Sequence, residues 1–173
     1  MILDSGEFMS CAHHDQCIDD ALARAEAICA RSGARLTPIR RHVLREVWSS
    51  HEATKAYDLI ERLSRHGEQV KPPTVYRALD FLLEQGLIHR IESLNAFVGC
   101  EHPQEPHQAI LLICDQCGDI LEEDNPAVHA ALDDLAHQSG FAPRSAVIEV
   151  RGLCRACRTA PTPPSTTSSD HTA

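Results

Sequence analysis

Aromatic side chains are scarce in this 173-residue sequence, at 4%, so no dominant core rests on stacked rings. Nor is there an apolar run of about 18 residues, which excludes a membrane-spanning helix. Met1–Ser10 carries neither a basic start nor an apolar stretch, so no secretory leader is expected and the chain is placed in the cytoplasm. Enzyme signatures are missing too. His51-Glu52 is followed by Lys55 where a His-Glu-x-x-His zinc protease would need histidine. Ile113, not proline, precedes Cys114, against the pattern of zinc deaminases. With no open metal position and no substrate pocket legible, neither catalysis nor a small-molecule substrate is expected.

An overall basic charge, the usual mark of a nucleic-acid partner, is also absent: the net charge is −9. Its distribution is uneven. From Asp20 to Arg90 there are 12 basic and 9 acidic residues, whereas from Ile91 onward there are 4 basic and 12 acidic. Two halves with different tasks follow from this asymmetry. Eight cysteines are present. In a reducing cytosol they point to metal rather than disulfides.

Apolar spacing predicts a first helix carrying Leu22, Ala25 and Ile28, stopped at Gly33, and a second opened by Thr37-Pro38. Thr54 is expected to cap a third helix, and Lys71-Pro72-Pro73-Thr74 to open a fourth that ends near Gly86. Two short β-prone runs, Leu87–Ile91 and Ala96–Val98, flank a turn at Ser93–Asn95. Helices followed by a hairpin give the order of a winged helix-turn-helix. Beyond a Pro-broken stretch, Ala109–Ile113, Asp119–Glu123 and Ala146–Val150 read as strands, and Asn125-Pro126 opens a helix with Val128, Leu132, Leu135 and Ala136 inward. The expected fold is α+β: a disordered arm (1–17), a winged-helix domain (18–98), a hinge (99–106), a small α/β dimerisation domain with a three-stranded sheet and a structural zinc (107–158), and a disordered tail (159–173). So small a sheet domain needs a metal staple and a partner subunit.

The staple is legible. Cys114-x2-Cys117 and Cys154-x2-Cys157 lie 36 residues apart. Two tight turns with two thiolates each converge on one tetrahedral zinc and leave no open position. Separate redox motifs or two disulfides are the alternatives. A second set is looser: His89 in the wing, Cys100 and His107 at the hinge, and Glu122 after the first cysteine pair. Spacing alone does not bring these together, and His102, Glu123, His129 and His137 compete. Mixed N, S and O donors drawn from both halves would suit zinc and fix the halves against each other. Cys11, His13, His14 and Cys17 form a further cluster in the arm, read as unstructured, and Cys29 reads as core.

Leu36-Thr37-Pro38-x-Arg40-Arg41, Pro73-Thr74-Val75-Tyr76-Arg77-Ala78-Leu79 and the two cysteine pairs together resemble the ferric uptake regulator family, over about Ala21 to Arg158. Ala56-Tyr57-Asp58-Leu59 and the run Lys71–Gly86 are similar to its zinc-uptake branch. Where iron-sensing members carry His-His-Asp-His, this chain keeps only His107 in His107-Gln108-Ala109-Ile110. The resemblance implies two zinc ions per subunit. One is structural, on Cys114, Cys117, Cys154 and Cys157; the other is regulatory, on His89, Cys100, His107 and Glu122. It also implies a homodimer on double-stranded operator DNA, repressing zinc-uptake genes. On the fourth helix Tyr76 and Arg77 are expected to read bases, with Lys71, Arg40, Arg41 and Lys55 on phosphates. Rival readings are a sensor of iron, manganese or peroxide with this architecture, and a structural zinc protein that binds other proteins.

Overall fold

The computed structural model describes residues 14–50, 52–65, 70–103, 109–144 and 146–159. Residues 1–13 of the expected arm, His107 and residues 160–173 of the expected tail lie outside these. Among the described residues no helix is long and apolar enough to cross a membrane.

The first half is built from α1 (His14–Ser32), α2 (Pro38–Trp48), β1 (Thr54–Lys55), α3 (Ala56–Arg65), α4 (Pro72–Glu84), β2 (Ile88–Ile91) and β3 (Ala96–Gly99). Helix α1 takes in the last four residues of the expected arm, 14–17. Its stop is as read: Gly33 adopts φ 69°, a left-handed geometry that costs glycine nothing. Prolines at the first turns of α2 and α4 give up a backbone N–H that a helix start leaves unpaired anyway. Leu22, Leu44, Leu59, Leu63, Leu79 and Leu82 meet in one core at 1% exposure or less. Burying each contributes about 1.5–3 kcal/mol.

Thr54 does not cap α3. It pairs with Phe97 in a short strand, making the wing a three-stranded sheet of order β1-β3-β2. A β-branched residue suits the outer edge of β3, whose ladder would otherwise face solvent. The wing turns at Asn95, at φ 47°, where the Asn95 side chain accepts from Arg90.

The second half comprises β4 (Ile110–Cys114), β5 (Ile120–Glu123), α5 (Pro126–Gln138), β6 (Ile148–Gly152) and α6 (Arg155–Thr159). Its sheet runs β5-β4-β6, with β4 antiparallel to β5 and parallel to β6. Asn125 caps α5 by accepting from the Ala127 N–H, as its sequence implies. Strand β6 starts two residues later than expected. The inward face expected for α5 is a clear departure: no residue of that helix is buried, and Leu135 is 61% exposed. Helical spacing marks an apolar face but not what covers it.

The halves meet through a small apolar cluster of Ile91, Leu111 and Ile113, joined by Leu94, Val98 and Ile120. A backbone bridge from Glu52 to Asp119 adds a second contact.

Candidate metal centres and nucleic-acid face

Cys114 ends β4, and the turn behind it is tight: the Gly118 N–H donates to the Cys114 carbonyl at 3.0 Å. Because β6 lies parallel to β4, with Gly152 in register with Cys114, it delivers Cys154 beside the turn. The second pair was expected on a turn like the first. It straddles the start of α6 instead, Cys154 just before the helix and Cys157 within it, and the Cys157 N–H points at the Cys154 sulfur, 3.4 Å away. The four sulfurs all lie within 4.8 Å of one another, and Cys117 and Cys154 are 3.8 Å apart. No disulfide joins them. The Cys114 thiol is lowered to about 6, first by the Cys117 backbone N–H and then by that of Cys154. Backbone donors thus favour a thiolate there before any cation arrives, which fits the donor set of a closed metal site.

The second set comes from three elements. Strand β2 supplies His89, the residue after β3 is Cys100, and β5 supplies Glu122. His89 Nε2 is 3.1 Å from Glu122 Oε1, and the Cys100 sulfur is 3.6 Å from the same oxygen. The other oxygen, Oε2, accepts from the Glu101 N–H at 3.0 Å. All three donors fall within 4.8 Å of one another. Burial, and then the Glu122 charge, push the Cys100 thiol up, and the same two causes raise the Glu101 carboxyl. A dry pocket that holds a thiol and carboxylates against their charges is suited to a cation. Of the competing histidines, His102 and His137 are exposed, and the His102 backbone N–H reaches the Cys100 thiol. His129 is engaged with Asp124 at 3.0 Å. Glu123, one residue along β5 from Glu122, lies on the opposite face of the sheet.

Helix α4 presents Lys71, Tyr76, Arg77 and Asp80 to solvent and turns Val75, Ala78, Leu79 and Leu82 inward. Beside it Lys55 is exposed, and Tyr57, which the sequence reading gave no contact role, is 74% exposed. Lys55, Tyr57, Tyr76, Asp80, Arg90 and Asn95 line a concavity of 400 Å³ between α3, α4 and the wing. Tyr57 had a visible signal, an aromatic one residue from Ala56 in a polar stretch.

The arginines of α2 sit differently from expectation. The Arg40 guanidinium lies 3.5 Å from the centre of the Phe81 ring and donates to the Arg35 carbonyl at 2.6 Å. Arg41 forms an ion pair with Glu26 of α1. Both guanidinium groups therefore have partners within the chain. Arg40 still borders, with Thr37, Thr74 and Arg77, a smaller hollow of 210 Å³ where α2 and α4 begin.

Known proteins resemble this chain over most of its length. The ferric uptake regulator family matches residues 31–151. The zinc uptake regulation protein of Escherichia coli (strain K12) is 49% identical over 139 residues, 80% of this chain and 81% of that protein. Its counterpart in Mycobacterium tuberculosis (strain ATCC 25618 / H37Rv) is 28% identical over 130 residues, 73% of this chain and 97% of that one. Among solved structures, a zinc uptake regulator complexed with zinc and DNA superposes with a TM-score of 0.78 at 48% identity, covering 82% of this chain and 95% of the other. Holo XcZur gives 0.76 at 41% identity, covering 82% and 99%. With its motifs, its architecture and its relatives in agreement, the chain belongs to the ferric uptake regulator family.

Proposed function

We propose that this protein is a zinc-responsive transcriptional repressor, acting in the cytoplasm as a homodimer on the operators of zinc-uptake genes. The observation that carries the reading is the convergence of His89, Cys100 and Glu122 from the wing, the hinge and the distal sheet. Relatives at 49% and 28% identity are named zinc uptake regulation proteins, and a structural relative was solved with zinc and DNA.

Two zinc ions per subunit would be held. Cys114, Cys117, Cys154 and Cys157 would take the structural ion, which uses all four positions. His89, Cys100 and Glu122 would take the regulatory one, with His107 as the fourth donor. When bound, zinc supplies a centre that accepts nitrogen, sulfur and oxygen donors at once. A splayed hinge would separate these donors, so loading favours the closed arrangement of the winged-helix domain (18–98) over the distal domain (107–158). Turning a 1:99 population into 99:1 takes about 5.5 kcal/mol of such preference.

The homodimer is supported by apolar surface that this chain does not cover. Val128, Leu132, Leu135, Phe141, Val147 and Val150 are 38–68% exposed. A hollow of 490 Å³ opens between Leu132, Leu135 and Phe141. Symmetric pairing through this face would set two α4 helices against two half-sites. In each, Arg77 and Tyr76 face bases, while Lys71 and Lys55 meet phosphates. Tyr57 joins this face. Arg40 and Arg41 reach phosphates only by giving up Phe81 and Glu26, so their part is the smaller one.

The test compares wild type with Cys100→Ala. Metal content is measured together with zinc-buffered binding to duplexes selected from a random pool at saturating zinc. Two zincs per wild-type subunit, and one in a folded variant that has lost zinc-dependent binding, would support the reading. An unchanged zinc dependence in Cys100→Ala would refute the sensing site.

A further inference from the structure

The Glu122 site occupies one end of a row that crosses the whole distal sheet. Leu111 of β4 is in register with Glu122 on β5 and with Glu149 on β6. Residues in register across a sheet project to the same face. All three therefore face the wing, and each meets a different part of it. Glu122 meets His89, and Leu111 packs in the cluster of Ile91. Glu149 takes the next stretch of chain: its Oε1 accepts from the Glu92 N–H at 2.6 Å, and its Oε2 from the Ser93 N–H at 3.2 Å. The β2–β3 ladder ends at Ile91, paired with Ala96, so these two amides lie beyond its register. One carboxylate thus grips two successive backbone donors at the wing turn, in a charge-assisted arrangement stronger than a neutral pair.

We propose that Glu149 is a positioning residue of the zinc response: a metal-independent anchor that ties the wing turn to the distal sheet and so sets the approach of His89 to Cys100 and Glu122. The apolar cluster around Ile91 and the Glu52–Asp119 bridge join the halves without gripping the backbone of the wing turn. A second point on the same row, three residues further along from His89, fixes its angle. The regulatory donors then start close to their closed arrangement, and less zinc is needed to hold it. This role rests on the zinc-repressor reading and adds to it a residue that holds no metal.

The experiment uses the full chain with Glu149→Gln and Glu149→Ala, the selected duplexes and buffered zinc. Both variants are expected to keep the four-thiol metal and to reach wild-type operator affinity at saturating zinc. The zinc concentration for half-maximal binding should rise about tenfold in Glu149→Ala, because the competent fraction falls by that factor. Glu149→Gln, which keeps an oxygen acceptor, should fall between it and wild type. Amide exchange gives a second readout that needs no DNA. In wild type without regulatory zinc, the Glu92 and Ser93 amides should be protected, and Glu149→Ala should release them. Unchanged zinc dependence in both variants, or unprotected amides in wild type, overturns the anchor. Should Glu149→Ala fail to fold, the glutamine variant and the wild-type exchange decide. A wild type that binds no duplex in response to zinc would fail the repressor reading instead, while the amides still judge the anchor.

Discussion

Gly99 closes β3 and hands the chain to Cys100, and it has no room for a side chain. A Cβ there would lie 2.2 Å from Trp48 Cε2, 2.4 Å from Nε1 and 2.7 Å from Cδ2. These atoms belong to a rigid ring, so the conflict is not relieved by swinging a flexible end aside. Trp48 is only 8% exposed, with Arg24 placed over its ring, 6.0 Å from the centre. In Gly99→Ala either α2 or β3 must shift. Overpacking costs about 1–3 kcal/mol, and a ring met by backbone belongs at the upper end. For a chain of this size a loss of about 3 kcal/mol lowers Tm by about 6–12 °C. If β3 yields, Cys100 moves off Glu122, so zinc-dependent DNA binding should need several-fold more zinc. Trp48 is the only tryptophan, so its emission during urea unfolding reports the packing directly. The folded variant should emit further to the red than wild type. A stability change under about 0.5 kcal/mol with unshifted emission would refute the packing argument.

Two further outcomes follow from the sites. The Cys100 thiol, raised by burial and by Glu122, holds its proton at neutral pH, whereas the metal-binding form is the thiolate. Loading the second site should therefore expel that proton, and apparent zinc affinity should climb by up to about tenfold per pH unit as pH rises. Calorimetry in buffers of different ionisation heat measures this release, and heats independent of buffer would exclude Cys100 as a thiolate donor. On the DNA face, Arg77→Ala should cost about 1–3 kcal/mol of operator affinity and relax base preference at one position. Arg41→Ala should cost less, because its guanidinium is held by Glu26. Equal losses in salt-controlled binding would contradict that ranking.

Much of this architecture could be read from local sequence because its signals are local. Lys71-Pro72-Pro73 opens α4 and Gly86 follows its end, and the wing strands fall within a residue or so of their β-prone runs. Other features depend on contacts between distant parts of the chain. A two-residue strand at Thr54 exists only because β3 offers it an edge. Arg40 reads as a phosphate ligand until Phe81, 41 residues on, places a ring beneath it. The cysteine pairs were legible because two-residue spacing within each pair constrains geometry. His89, Cys100 and Glu122 were not, since only docking of the wing on β5 brings them together; the resemblance, not their spacing, singled them out. Glu149 was not legible, because a carboxylate alternating with Ile148 and Val150 reads as the solvated face of a strand, and only docking on the wing turn gives it backbone partners.

The parallel pairing of β4 and β6 also sets an order of events during synthesis. Cys114 and Cys117 emerge together and can shape their turn at once. Cys154 follows 40 residues after Cys114, behind the whole of α5. A parallel neighbour cannot arrive through a hairpin, so this ladder waits for a long crossover to be completed. The distal domain therefore cannot close while the ribosome still holds its last residues. Until then the chain exposes a half-built thiol pair and an open strand edge. A ribosome that pauses just upstream of Cys154 would leave a finished winged-helix half attached to a distal half unable to fold.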